Sequence, residues 1–518
     1  MTARTQTLKG SPMRNTRNTL RNALLRSLLV GASLVGCTQD LNITNPNAPD
    51  TANFWKTDAD ALNGINATYN MLQQRGTYAR WLGFDLDIRS DEGFAGCGWN
   101  ELCQYNAFIQ GDYNFEPSRE TWQMHYWTIY RANQVTENVP TITMDATLRD
   151  RIVGEAKFLR ALMYFNLVNL YGGVPIVIKP PLPTDRPPSS TVAEVYTQIE
   201  KDLTEAAAVL PPSYSGSDVG RATKGAALAM LGKAQLQQKK WAIAATTLGQ
   251  VVAMPQYQLM PNYADNFTDK FENNQESVFE VQFADEDQLS SGVSGQNYAK
   301  MIGACRSFNG MPGVGVEPSY CDGRPTHWFF NQFFADTLNR AVYDPRLDAT
   351  LFWNRPGGMD VYGTPFATRY GATATDAWWK KWGEYYLVED QNWDNPINYR
   401  VIRFADVLLM QAEALNESGQ TGAAYPLVQR VRTRAGAGTV PTGLTQATMR
   451  DYILHERLVE LGLEQSRWLD LQRQGMLTPA LQSHDVEFKN FVLNKSEYLP
   501  IPQNEIDLNP NIKQNPGW

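Results

Sequence analysis

Apolar positions recur at three- and four-residue steps along most of the chain, the spacing of a helical face. The first such stripe spans 57–74, with Ala61, Leu62, Ile65, Tyr69 and Leu72 on one side. A second, over 119–139, carries Trp122, Tyr126, Ile129 and Asn133. Residues 148–171 show two stripes, Ile152, Ala156, Leu159 and Met163 beside Phe158, Leu162 and Phe165. Two stripes predict a helix buried between neighbours; Gly172-Gly173 ends it. The next helix, 191–210, opens on a Thr191 cap and stops at Pro211-Pro212. Segments 222–238 and 241–252 predict a helical hairpin, with Ala226, Ala227, Ala229 and Gly232 small enough for close approach. The design recurs at 399–418 and 423–434, where Ala405, Leu408, Ala412 and Leu415 form the stripe. A last long helix is expected over 449–473. Its opposite charges three apart (Arg457/Glu460, Glu464/Arg467, Arg467/Asp470, Asp470/Arg473) are worth about 0.2–0.5 kcal/mol each if exposed.

Two stretches lose this period. Residues 81–114 mix carboxylates, cysteines and aromatics. Residues 260–397 hold 25 Phe, Trp and Tyr in 138 positions, about 18% against 11% for the chain, with short strands expected near 277–283. The fold class is therefore mainly α: tetratricopeptide-like helical hairpins carrying an irregular aromatic- and Gly-rich region. We expect a body over 51–518, its helical scaffold at about 51–255 and 398–475, the irregular insertion at about 260–397 and a tail at 476–518. That body exceeds the roughly 250–300 residues at which one core usually splits, yet no long Gly/Ser or charged linker divides it. Stacked hairpins resolve the conflict, because they extend a core along one axis.

The leader changes the picture. Arg4, Lys9, Arg14, Arg17, Arg21 and Arg26 precede an apolar run at 27–35, which closes on Leu34-Val35-Gly36-Cys37. The run is shorter than the roughly 20 residues a membrane span needs, so 1–36 reads as a lipoprotein signal peptide, from Met1 or Met13, removed before an acylated Cys37. Residues 37–50 read as an extended tether reaching about 40 Å. Loss of the leader takes six of the 46 basic residues, leaving 40 against 54 acidic and a net charge of −14. Such a charge argues against nucleic acid and against adsorption to anionic lipid, so membrane attachment falls to the acyl chains. Cys97, Cys103, Cys305 and Cys321 remain, an even set that points to disulfides in an exported chain. Cys97–Cys103 with Cys305–Cys321 is the most local of three connectivities.

Several segments, in this order, resemble the SusD/RagB family of outer-membrane nutrient-uptake lipoproteins. They are Gly154-Glu155-Ala156-Lys157-Phe158-Leu159-Arg160-Ala161 running to Tyr171-Gly172-Gly173-Val174-Pro175, then Arg403-Phe404-Ala405-Asp406 through Ala412-Glu413-Ala414. Val431-Arg432-Thr433-Arg434-Ala435-Gly436, Glu456-Arg457 through Arg467-Trp468-Leu469-Asp470, and Leu499-Pro500-Ile501-Pro502 to Asn509-Pro510-Asn511 complete them. One departure is Glu464-Gln465-Ser466-Arg467, where the family's usual pattern has glycine second; a local glycine turn is then not expected. The resemblance implies a SusD-like α-α superhelix that is not an enzyme. It also implies a lipid-anchored lid on the cell exterior over a SusC-like TonB-dependent transporter, capturing a glycan, or in some branches a peptide.

An oligosaccharide binder needs aromatic faces for sugar rings and polar groups for hydroxyls. The candidates are Trp81, Trp99, Asn100 and Tyr105 in the first irregular stretch, and Phe308, Asn309, Tyr320 and Trp328 in the second. The resemblance places ligand contacts in the same two parts. Asp85, Asp87 and Asp91, with Glu92, are weak calcium candidates, a solvated acidic loop being the plainer expectation; no other cofactor is implied. The rival classes are a tetratricopeptide adaptor and an exported glycoside hydrolase. The hydrolase would need two carboxylates about 5–10 Å apart, for which Glu280, Asp285 and Glu286 carry no motif.

Overall fold

The computed structural model describes residues 54–96, 99–284, 298–304, 319–335, 342–386, 395–484 and 486–518. The signal and tether regions, 1–36 and 37–50, lie outside them. Threonine caps start several helices, satisfying amides that no helical turn can reach. Thr57 Oγ1 accepts from Asp60 N at 3.2 Å while the Asp60 carboxylate accepts from Thr57 N at 2.9 Å, opening α1 (Asp58–Asn70). Further helices are α2 (Glu116–Asn138), α3 (Ala146–Tyr171), α4 (Val192–Val209), α5 (Lys224–Gln237), α6 (Trp241–Val252), α7 (Phe404–Glu417), α8 (Thr421–Ala435) and α9 (Gln446–Leu461). Thr191 and Thr223 cap α4 and α5.

Packing follows the stripes. Every residue of α3 from Phe158 to Tyr171 is buried, held between α2 and α4 as its two apolar faces require. Helices α4, α5, α6 and α7 follow one another in contact, and α7 also meets α8 and α9. A Cβ on Gly232 would stand 2.5 Å from the Leu248 side chain, so the α5–α6 contact depends on glycine there. Residues Trp55–Trp518 form one compact unit.

Two elements differ from expectation. Tyr399–Arg403, expected as helix, is strand β4 and pairs antiparallel with strand β2 (Ser277–Val281), Glu280 opposite Arg400. Tyr399, Arg400, Ile402 and Arg403 are all buried there, and the helix begins only at Phe404. The expected 449–473 helix breaks after α9 and resumes as α10 (Arg467–Gln474). Between them Leu463 (φ 63°) and Gln465 (φ 59°) are left-handed. The turn that glycine usually serves exists here without it, because Gln465 N–H donates to Asp87 Oδ1 at 2.6 Å.

The charges of this region are buried, which corrects the exposed-pair expectation. Arg346, Lys381, Arg403, Arg432 and Arg434 meet Glu276, Asp344, Glu456, Glu460 and Glu464. Beside them Lys233, Arg457 and Arg473 meet Asp406, Glu413 and Asp470. Of the four pairs expected along the helix, Asp470/Arg473 forms at 2.8 Å. Arg457 instead bridges Asp406 and Asp470, both at 2.8 Å, and Arg467 turns to Asp91 at 2.7 Å. Each group carries as many anions as cations, as burial of charge demands. Burial alone would raise Asp406, but Lys233 and Arg457 hold its carboxyl down to about 2.

Candidate functional site

The two irregular stretches are joined by a short antiparallel ladder. Strand β1 (Gly93–Ala95) pairs with β3 (Gly323–Pro325) in the register Gly93–Pro325, Phe94–Arg324 and Ala95–Gly323. Gly96 N–H extends it to Asp322 O at 2.7 Å. Alternation along a strand gives the ladder two faces. Its inner face needs glycine: a Cβ on Gly323 would lie 2.7 Å from Ile88 and 2.8 Å from Ile302. On the other, Phe94 and Arg324 are partners. The Arg324 guanidinium sits 5.5 Å from the Phe94 ring and 5.9 Å from Trp378, with Nη2 3.2 Å from Asp376. Half-buried Tyr370 stacks on Trp378 at 3.8 Å, and exposed His327 stands 3.9 Å from Asp376. The sequence reasoning missed Phe94, Arg324, Tyr370 and Asp376. The available signal was the alternation of Gly93-Phe94-Ala95 and Gly323-Arg324-Pro325.

The expected ligand residues divide. Tyr320 is 53% exposed, its ring 5.9 Å from the Lys300 ammonium. Trp328, half-buried, stacks flat on His484 at 3.8 Å and 10°, with the Arg467 guanidinium 5.4 Å away. Trp99 is half-buried, edge-on to Trp81 and Phe115, and Asn100 is exposed at the start of the helix Asn100–Asn106. Trp81 and Tyr105 are corrections. Trp81 is fully buried with its indole N–H on Glu120 at 3.0 Å, and the Tyr105 hydroxyl donates to Asp85 in the core. Neither ring has a face open to a ligand. Phe308 and Asn309 lie outside the described residues. Cys103 and Cys321 are disulfide-bonded; the expected pairing with Cys97 and Cys305 lies outside the described residues.

The acidic run is not the solvated loop expected of it. Asp85, Asp87, Asp91 and Glu92 are all buried. Asp85 accepts from Tyr105 and from Thr121 at 2.7 Å, and burial pushes it up to about 6. Asp87 accepts from Gln465 N and Tyr298 Oη, and burial pushes it up to about 7. Glu92 accepts from Leu463 N at 3.3 Å. Asp91 is fixed by Arg467 through two hydrogen bonds, at 2.7 and 2.8 Å, and by His484 at 2.9 Å. Among the described residues no group of three or more His, Cys, Asp or Glu side chains is arranged to hold a metal ion. Glu280, the one described carboxylate of the hydrolase alternative, is buried 3.2 Å from Arg400; Asp285 and Glu286 lie outside the described residues.

This architecture has known counterparts. Residues 275–518 match the SusD family, and residues 46–236 match a family described as starch-binding, associating with outer membrane. SusD-like protein P2 of Formosa agariphila is 28% identical over 94% of this chain and 97% of its own length. A SusD superfamily protein from Bacteroides vulgatus superposes with a TM-score of 0.79 at 26% identity, over 90% of this chain and all of that one. A laminarin-binding SusD-like protein gives 0.71 at 27% identity, over 89% of this chain and all of its own. The family segments of the sequence supply ten of the sixteen partners in the two buried ion groups, and on this frame and these matches the chain belongs to the SusD/RagB family.

Proposed function

We propose that this protein captures a neutral oligo- or polysaccharide on the face built around the β1–β3 ladder, without cleaving it. The carrying observation is the ladder itself, which brings two distant irregular stretches together and sets half-buried Phe94, Tyr370 and Asp376 around the buried Arg324–Trp378 contact. Tyr320 and Trp328 add aromatic surface from the same stretch as β3. The match to a laminarin-binding relative supports a glycan as ligand. In this reading Cys37 carries the lipid, the tether lets the body stay at the outer surface of the outer membrane, and the captured glycan passes to a TonB-dependent transporter beneath it.

A glycan panel that includes laminarihexaose tests the capture. Retention without product supports the reading, and Tyr320→Ala and Trp328→Ala should each weaken binding at least tenfold with melting temperature nearly unchanged. Released product would make it an enzyme, and retention of peptides alone would shift the ligand class. Co-purification of a transporter from outer membranes with the lipidated protein tests the delivery step; its absence would remove that step.

A further inference from the structure

Away from the ladder, two adjoining cavities of about 250 and 210 Å³ share Val219, Gly220, Arg221 and Glu280. We propose that they form a second, separate sugar-binding site that takes a single neutral sugar ring. The inference borrows from the proposed function only the glycan class of ligand.

The walls come from three parts of the chain: Asn70 and Gln73 at the end of α1, Gly220 in the α4–α5 connection, and Gln282 following β2. Amides dominate the polar lining and are held in place. Gln73 Nε2 donates to Gln282 O at 2.6 Å, Asn70 Nδ2 to Gln73 Oε1 at 3.0 Å, and the Gln282 and Asn273 amides bond each other at 2.9 and 3.1 Å. Gly220 adopts φ +95°, and a Cβ there would stand 2.7 Å from the Gln282 amide carbon, so this residue keeps the amide wall upright. Planar, pre-positioned amides suit hydroxyls, which both donate and accept.

Charge narrows the ligand further. Arg221 is spent on Glu155 at 3.0 Å and Asp218 at 2.7 Å. Glu280, 2% exposed, uses Oε2 for Asn273 N and Asn398 Nδ2. Its Oε1 stands 3.2 Å from Arg400 Nε, in a geometry that leaves both atoms without a hydrogen bond. Facing that guanidinium and closed off from the cavity, Oε1 is not offered to a ligand, so Glu280 shapes the wall without presenting a free charge. With Arg221 and Glu280 both neutralised by their partners, the lining holds no free charge to attract a uronate, a sulfate or a cation. A neutral polar ligand remains, and the hydroxyls of a sugar ring match the donors and acceptors of the amide wall. Tyr69, beneath the Arg221 guanidinium at 5.6 Å, supplies the partly apolar floor.

Saturation-transfer NMR on the mature full chain, with D-glucose and D-glucuronate as probes, tests this. Glucose should give transfer and glucuronate none. Asn70→Trp and Ser217→Trp, bulky residues at exposed positions of the rim, should each cut the glucose signal at least fivefold with an unchanged melting temperature. Tyr320→Ala should leave it intact. A glucose signal that ignores both rim variants, or that disappears in Tyr320→Ala, overturns the second site. If no glycan of the panel binds the ladder while the rim variants still abolish glucose transfer, the proposed function fails and this inference stands.

Discussion

Asp406→Asn isolates one buried charge without changing the shape that surrounds it. Asp406 is buried near the start of α7, between Lys233 of α5 at 3.3 Å and Arg457 of α9 at 2.8 Å. Its carboxyl is held down to about 2 against an ordinary 3.8, in spite of burial, by those two cations. A carboxylate stabilised that far contributes about 2.4 kcal/mol at neutral pH. Removing one member of a buried pair costs about 3–5 kcal/mol when the partner is stranded. Here Arg457 keeps Asp470 at 2.8 Å and the Lys233 side chain is 12% exposed, so rehydration favours the lower figure. We expect a loss of about 2–3 kcal/mol at pH 7, read from urea unfolding with an unchanged m-value. The sign with pH is fixed by the depressed value: the contribution is present above the unfolded value and lost as pH falls through the folded one. At pH 3 the difference between wild type and Asp406→Asn should shrink to about half. A penalty under about 0.5 kcal/mol at pH 7, or one that does not shrink by pH 3, would refute the electrostatic account and leave packing as the cause.

The same logic applied to the whole chain predicts a stability maximum on the acid side of neutrality. Asp406 and Glu460, both held down to about 2, lose their contribution below about pH 4, whereas Asp85 and Asp87, pushed up to about 6 and about 7, keep protons that the unfolded chain releases, so stability falls as pH climbs from about 4 to about 7. A urea midpoint higher at pH 8 than at pH 5 would contradict this. At Gln465, with φ 59°, glycine should outperform alanine by about 1 kcal/mol, the reverse of its usual rank; thermal melts of Gln465→Gly and Gln465→Ala decide it. His484→Ala removes the ring stacked on Trp328 and should lower laminarihexaose affinity several-fold by calorimetry with little change in melting temperature, an unchanged affinity counting against Trp328 as a contact. Cys37→Ala should give a folded, ligand-competent protein that no longer fractionates with the outer membrane; retention there would remove the lipid anchor from the model of function.

The helical frame was legible because its burial is periodic. The two stripes of α3 announced a helix enclosed on both sides, and the small residues of α5 announced close approach; Gly232 and the fully buried run from Phe158 to Tyr171 have that form. Periodicity failed where long-range partners decide local structure. Residues 399–403 became strand because 277–281 lies beside them, a pairing across more than a hundred residues that no local window contains. The α9–α10 break is invisible for the same reason, since its stabilising acceptors, Asp87 and Glu92, come from the far end of the chain. The two stretches named for the ligand from sequence are joined in the structure by the β1–β3 ladder, a pairing that no local window contains, and the residues chosen within them divide. Tyr320 and Trp328 present surface, while Trp81 and Tyr105 are drawn inward by Glu120 and Asp85. An aromatic's type does not reveal which of its neighbours can take its N–H or O–H.

Those buried carboxylates also explain how a face made of irregular chain can be held rigid. Strand β1 is only three residues long, and two strands of that length are not stable in isolation. The segment before it is fastened instead through side chains: Asp85 to Thr121 of α2, Asp87 and Glu92 to the left-handed turn, Asp91 to Arg467 of α10 and to His484. Strand β3 is fastened to the same segment, Thr326 donating through N–H to Glu92 O at 3.0 Å and through its hydroxyl to Asp91 O at 2.7 Å. Asp91 thus connects three things at once: the ladder, the helical frame through Arg467, and the ring that supports Trp328. The acidic run has the composition of a metal loop, but its chemistry is that of a clamp. It ties the irregular aromatic face to the helical frame through Arg467, so a ligand captured there, as proposed, would meet a surface whose ordering cost the fold has already met.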